Sequence, residues 1–198
     1  MITERFFNKW IFLILLIIPA FGLIFDEPYY ITLTTKVIIL GIAGIGLNLA
    51  LGYGGLISFG HAAFFGIGGY VTAIMSYHVI NEELLFNWPL GIPGSTDMLM
   101  IWPLVIFISA FFSFVIGLLC LRTSGVYFIM ITLAFAQMIY YFSISWPTYG
   151  GEDGLSIYMR NTLPFVNTMD PITFLLICLF WLFVSIFITC KLINSPFG

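Results

Sequence analysis

Apolar positions along the chain gather into six long runs, 10–25, 31–51, 56–80, 100–121, 126–146 and 172–190. A helix needs about 20 predominantly apolar residues to cross the hydrocarbon core of a bilayer. The pattern therefore predicts an all-α integral membrane protein, a polytopic bundle of about six transmembrane helices forming one unit over residues 1–198. The polar intervals are short, apart from 81–99 and 147–171. Trp88-Pro89, Pro93-Gly94, Pro164 and Asp170-Pro171 punctuate these two, so they read as caps or contact surfaces rather than as a further domain. Trp10, Trp102 and Trp146 stand at run ends, where an amphipathic ring suits the headgroup region.

Composition removes the soluble alternative. With 61% apolar and 8% charged residues, the chain has too few charges to cover a globule of 198 residues. Its net charge of −3 argues against a nucleic-acid partner. Cys120, Cys178 and Cys190 have no metal-ligand spacing and read as small buried hydrophobes. The first run, with Arg5 and Lys9 before it and Ala20-Phe21-Gly22 near its end, resembles a secretory signal, but the apolar stretch continues through Phe25 and favours a retained helix. With both termini cytoplasmic, Arg5, Lys9, Arg122 and Lys191 fall inside and Lys36 and Arg160 outside, in the sense of the positive-inside rule.

Ten of the 19 glycines lie between Gly41 and Gly69. Small residues let helix backbones approach where no hydrophobic force drives helices together. Gly46, Ala50 and Gly54 form one such ladder and Phe65, Gly69 and Ala73 another. A second reading is that Gly52-Tyr53-Gly54-Gly55 interrupts a helix at membrane depth, offering backbone groups to a cargo.

His61 stands inside an apolar run, while Asp, Glu, Lys and Arg fall toward run ends or in loops. That arrangement lacks the chain of embedded carboxylates a proton pump uses and the charged ring of an ion channel. His61, Asn48, Ser58, Thr132 and Gln137 are polar residues within runs and serve as interhelical contacts or cargo ligands. No catalytic, metal-ligating or cofactor-binding pattern is present, and Gly66-Ile67-Gly68 is followed by Val71 where a dinucleotide fingerprint needs glycine. The sequence predicts no enzyme, and a transporter without embedded charges would draw its energy elsewhere, an ATPase partner being one source.

Three stretches then carry a family resemblance. Leu47-Asn48 through Tyr70, with Gly55, Ser58, Gly60, His61, Ala62, Phe64, Gly66 and Gly68 in place, resembles a signature of the permease subunits of branched-chain amino-acid ABC transporters, of the LivM type, and of their relatives for urea and short amides. Leu121-Arg122 through Gln137 is similar to that family's turn and following helix. Gly150-Gly151-Glu152-Asp153-Gly154-Leu155 is similar to its external glycine loop, with Tyr149 inserted after Thr148. Asn194-Ser195-Pro196-Phe197-Gly198 matches the opening of the cytoplasmic coupling loop, so the chain is expected to be the N-terminal part of a longer permease.

The resemblance implies a subunit of an ATP-driven importer in the cell inner membrane, moving branched-chain or similar small amino acids. It implies ABC ATPase subunits, a second permease subunit and an external substrate-binding protein as partners. On that reading Asn48, Ser58, Gly60, His61, Thr132 and Gln137 are the candidate substrate pathway, and Gly150, Gly151 and Gly154 the candidate contact with the binding protein. The same family with urea or a short amide as cargo, a passive channel, and a structural subunit without transport are the alternatives.

Overall fold

The computed structural model describes residues 27–86, 92–164 and 166–196, which fall into two compact units. The predicted first span lies outside the described residues. Among these there are five long helices, α1 (Pro28–Asn48), α2 (His61–Ile80), α3 (Met98–Cys120), α4 (Val126–Ile144) and α5 (Pro171–Ile193), each long and apolar enough to cross a membrane. Their 19 to 23 residues correspond to about 28–35 Å at helical rise. Much of their apolar surface is open: Phe107 is 72% exposed and Phe114 66%. Such faces suit lipid and not water. The chain is a multi-pass helical membrane protein.

The first unit pairs α1 with α5. Ile31 and Ile38 repeat every seven residues on α1, and Leu175 and Leu182 do so on α5. With Cys178 they form a buried seam, the 3.5-residue spacing that keeps two helices in register. Gly41 brings the helices close, its Cβ position 3.9 Å from a Leu182 methyl. Pro28 and Pro171 open the two helices at positions where a missing N–H is harmless. Thr34 and Thr35 are buried and return their hydroxyls to the carbonyls of Tyr30 and Ile31, both at 2.8 Å. Polar side chains are thus satisfied within one helix, as a medium without water requires.

The second unit holds α2, α3 and α4. Gly68 lets α2 approach α3, since its Cβ position would stand 3.3 Å from Val105. Ile116, Cys120 and Phe128 are buried together where α3 turns into α4. That turn closes with Thr123 donating to the Cys120 carbonyl at 2.7 Å and with Gly125 at φ +62°. After α2 the chain makes a short hairpin, β1 (Leu84–Phe86) antiparallel to β2 (Ile92–Pro93). The two long interhelical segments are tied together. Met98 N–H donates to the Thr162 carbonyl and Thr162 N–H to the Thr96 carbonyl, both at 2.9 Å. Asp97 occupies the N-cap of α3 without capping it, and its carboxylate instead accepts from the Thr162 hydroxyl at 2.9 Å.

The helices follow the predicted runs within three residues, except at one place. The run beginning at 56 becomes helical only at His61, and the preceding helix ends in a π turn, Leu49–Tyr53. Leu56 N–H donates to the Ala50 carbonyl at 3.1 Å across Gly55, which sits at φ +63°. This is a glycine C-cap, one residue wider than usual because the last turn is π. The ladder Gly46-Ala50-Gly54 is therefore cut, because a Cβ at Gly54 would stand 2.6 Å from the Ala50 carbonyl oxygen. Nor do Phe65, Gly69 and Ala73 share a fate on α2: Phe65 is 58% exposed, Ala73 is buried, and Gly69 has open space beside it.

Candidate functional site

The second unit brings four of the sequence-selected residues to one place. Residues 54–60 are irregular, and Ser58 Oγ accepts the Gly60 N–H at 3.2 Å, turning the backbone into α2. Gly60 is buried against α4. A Cβ there would stand 3.1 Å from the Thr132 carbonyl oxygen and 3.4 Å from its Cβ, so a larger residue would wedge the helices apart. Thr132 is itself buried, its hydroxyl donating to the Ile129 carbonyl at 2.9 Å. One turn further along α4, Gln137, itself exposed, lines a half-open cavity of about 430 Å³ between α2 and α4.

Phe59, Ala62, Gly66 and Tyr70 form one wall of that cavity, and Ala136, Gln137, Tyr140 and Ser143 are on the other. Small residues on α2 open the space, and among the described residues no Asp, Glu, Lys, Arg or His lines it. The Tyr70 hydroxyl is engaged with the carbonyls of Ser143 and Tyr149, each at 3.3 Å, and Ser143 Oγ donates to the Ile139 carbonyl at 3.0 Å. The Gln137 amide makes no hydrogen bond among the described residues, which leaves two donors and an acceptor for a guest. A space of a few hundred Å³ with mostly apolar walls and a few uncharged polar groups suits reversible binding of a small, largely apolar molecule.

The remaining sequence-selected residues stand elsewhere. His61 is the first residue of α2, half-buried, and does not line the cavity. Asn48 ends α1 in the first unit with its side chain exposed. Gly150, Gly151 and Gly154 make a tight loop after the 3₁₀ turn Pro147–Tyr149, at φ +83°, +51° and +73°. A Cβ on Gly150 would run into the Gly154 carbonyl. Glycine is required there by conformation, with Asp153 N–H closing onto the Gly150 carbonyl at 3.0 Å.

A polar cluster at the far end of α2 escapes sequence reasoning. His78 is buried and its Nε2 lies 2.9 Å from the Tyr149 hydroxyl. Ser76 donates to the Thr72 carbonyl and to Asn161 Oδ1, at 3.1 and 3.2 Å. Gly94 presses onto this end so closely that a Cβ would stand 2.7 Å from the Met75 carbonyl oxygen and 2.9 Å from His78 Cβ. The one sequence signal is spacing: Tyr70, Tyr77 and His78 at i, i+7 and i+8 share a helix face.

The five apolar spans among the described residues define a polytopic membrane protein. The family model described as branched-chain amino acid transport system / permease component matches residues 29–198, and the chain belongs to that family of ABC-type transport permeases. It is 26% identical over 192 residues to the high-affinity branched-chain amino acid transport system permease protein LivM of Salmonella typhimurium, covering 85% of this chain and 42% of that protein. To LivM of Escherichia coli it is 24% identical over 192 residues, with the same coverage. The chain thus spans less than half the length of these curated relatives. No solved structure matches it.

Proposed function

We propose that this chain is the substrate-passing part of one permease unit in an ATP-driven importer of the inner membrane, and that its cargo is a branched-chain amino acid. The observation that carries the reading is the cavity between α2 and α4, whose apolar walls and single free amide at Gln137 suit an aliphatic side chain joined to a polar head. Burying a leucine side chain in such a space contributes about 1.5–3 kcal/mol, and the amide adds direction. Family membership, and the name borne by the two relatives, support the same cargo.

Ser58, Gly60 and Thr132 then hold α2 and α4 at the separation that keeps the cavity open. His61 and Asn48 serve the pathway outside it, and the glycine loop at 150–154 meets the external binding protein. ATPase subunits supply the energy that a pathway without embedded charges cannot, and a second permease subunit completes the passage. The test is uptake of labelled leucine by the full-length permease assembled with these partners, comparing wild type with Gly66→Leu. Gly66 has nothing within 4 Å of its Cβ position and lines the cavity, so leucine there fills the space without displacing a neighbour. Loss of leucine uptake with the complex intact supports the reading. Undiminished uptake sinks it, and ATP-dependent uptake of urea in place of leucine moves the cargo to the amide class.

A further inference from the structure

His78 and Tyr149 form a contact that neither the cavity nor the glycine loop explains by itself. Tyr149 immediately precedes Gly150, and α2 grips it at two points: His78 Nε2 meets its hydroxyl at 2.9 Å, and the Tyr70 hydroxyl donates to its carbonyl at 3.3 Å. The rings of Tyr77 and Trp146 pack edge-on against it, with centroids 5.7 and 5.2 Å away. The loop after Tyr149 takes its shape from three left-handed glycines, so its internal form is local. Where that form stands relative to α2 depends on how Tyr149 is held.

The histidine is an unusual choice for the task. It is 7% exposed, and among the described residues its buried Nδ1 has no hydrogen-bond partner. If the tyrosine donates to Nε2, Nδ1–H lacks an acceptor. If Nε2–H donates to the tyrosine, the Nδ1 lone pair lacks a donor. Either tautomer leaves one nitrogen desolvated, a cost that a phenylalanine in the same space avoids. A buried polar group left unmet in a native structure calls for an explanation. Here the closed contact leaves one nitrogen unmet, a cost that offsets part of what the bond to Tyr149 contributes. The bond therefore gives direction to the loop while adding less than a fully satisfied pair would.

We propose that His78 is a positioning residue, acting through Tyr149 as a releasable latch that sets the 150–155 loop for engagement by the external binding protein. The proposal rests on the import reading above, but its first readout does not depend on transport. In the full-length complex in nanodiscs, Glu152 at the exposed tip of the loop is replaced by cysteine, with the exposed Cys190 changed to serine, and the rate of maleimide labelling is followed. His78→Phe and Tyr149→Phe each remove the same bond. Each is expected to change the labelling rate about fivefold, the equivalent of one ordinary hydrogen bond, and the double variant no further. His78→Gln, which keeps a polar group toward Tyr149, is expected to restore the wild-type rate and covers the case in which phenylalanine fails to fold. In uptake assays His78→Phe raises the half-saturating concentration of binding protein and leaves the maximal rate unchanged.

Unchanged labelling in both single variants overturns the latch, as does a double variant whose change is the product of the two. Altered labelling in a complex that imports nothing leaves the latch standing and removes the import reading. Intact import with unaltered labelling does the reverse.

Discussion

The two ends of α2 solve opposite problems. At its start, Gly60 is pressed against Thr132, but Ala62 and Gly66 beyond it have almost no side chain and leave a half-open cavity of about 430 Å³ against α4. At its finish, Ser76 and His78 are buried, polar and covered by the backbone of Gly94. One end keeps space and offers few hydrogen bonds; the other fills its space and spends its hydrogen bonds on the loops that follow. The proposed cargo site and the proposed loop contact thus lie along one helix, with Tyr70 lining the first and donating to the Tyr149 carbonyl at the second. Small residues mean different things at the two ends, an opening at Gly66 and a tight seal at Gly94.

Substitutions that exchange these roles should break the distinction. The largest effect is expected from Gly94→Val. Its Cβ position meets backbone atoms of Met75 and Val79 at 2.7 and 2.8 Å, and backbone cannot rotate aside. A loss of about 3 kcal/mol follows, at the upper end for overpacking, read as a fall in the melting temperature of the purified permease. Gly66→Leu makes the contrasting case: the melting temperature holds, while leucine import falls at least about tenfold because bound cargo loses its space. Gln137→Leu sharpens the picture further. Removing the free amide should raise the half-saturating leucine concentration about fivefold, one neutral hydrogen bond, with the cavity walls kept apolar. Ser58→Ala is the smallest. It deprives the Gly60 N–H of its acceptor and should destabilise the start of α2 by about 0.5 kcal/mol, visible as faster amide exchange there.

The long elements were readable because length and hydropathy alone define a membrane-crossing helix, and α3, α4 and α5 keep to their apolar runs within three residues. The start of α2 was not, because Leu56, Ile57 and Phe59 are as apolar as the helix that follows. What stops the helix is the left-handed Gly55 and the serine hydroxyl on Gly60, both local geometry. The glycine concentration did mark the right neighbourhood. It could not tell Gly68, pressed against Val105, from Gly66 and Gly69, which have nothing within 4 Å. Ser58, Gly60 and Thr132 were chosen separately and share one contact, whereas His61 stands off the cavity. His78 escaped notice because it sits near the end of an apolar run and its partner lies 71 residues away, beyond any local pattern.

The cavity between α2 and α4 as the path of the cargo is tested most directly by protection of a cysteine at position 66. In the full-length complex carrying Gly66→Cys, with Cys190 changed to serine, alkylation is timed with and without saturating leucine. The account predicts that leucine slows the reaction about tenfold or more, as expected when a bound ligand fills a pocket of this size, and that urea does not. An alkylation rate indifferent to leucine, in a complex that still imports it, would place the passage elsewhere and contradict the assignment.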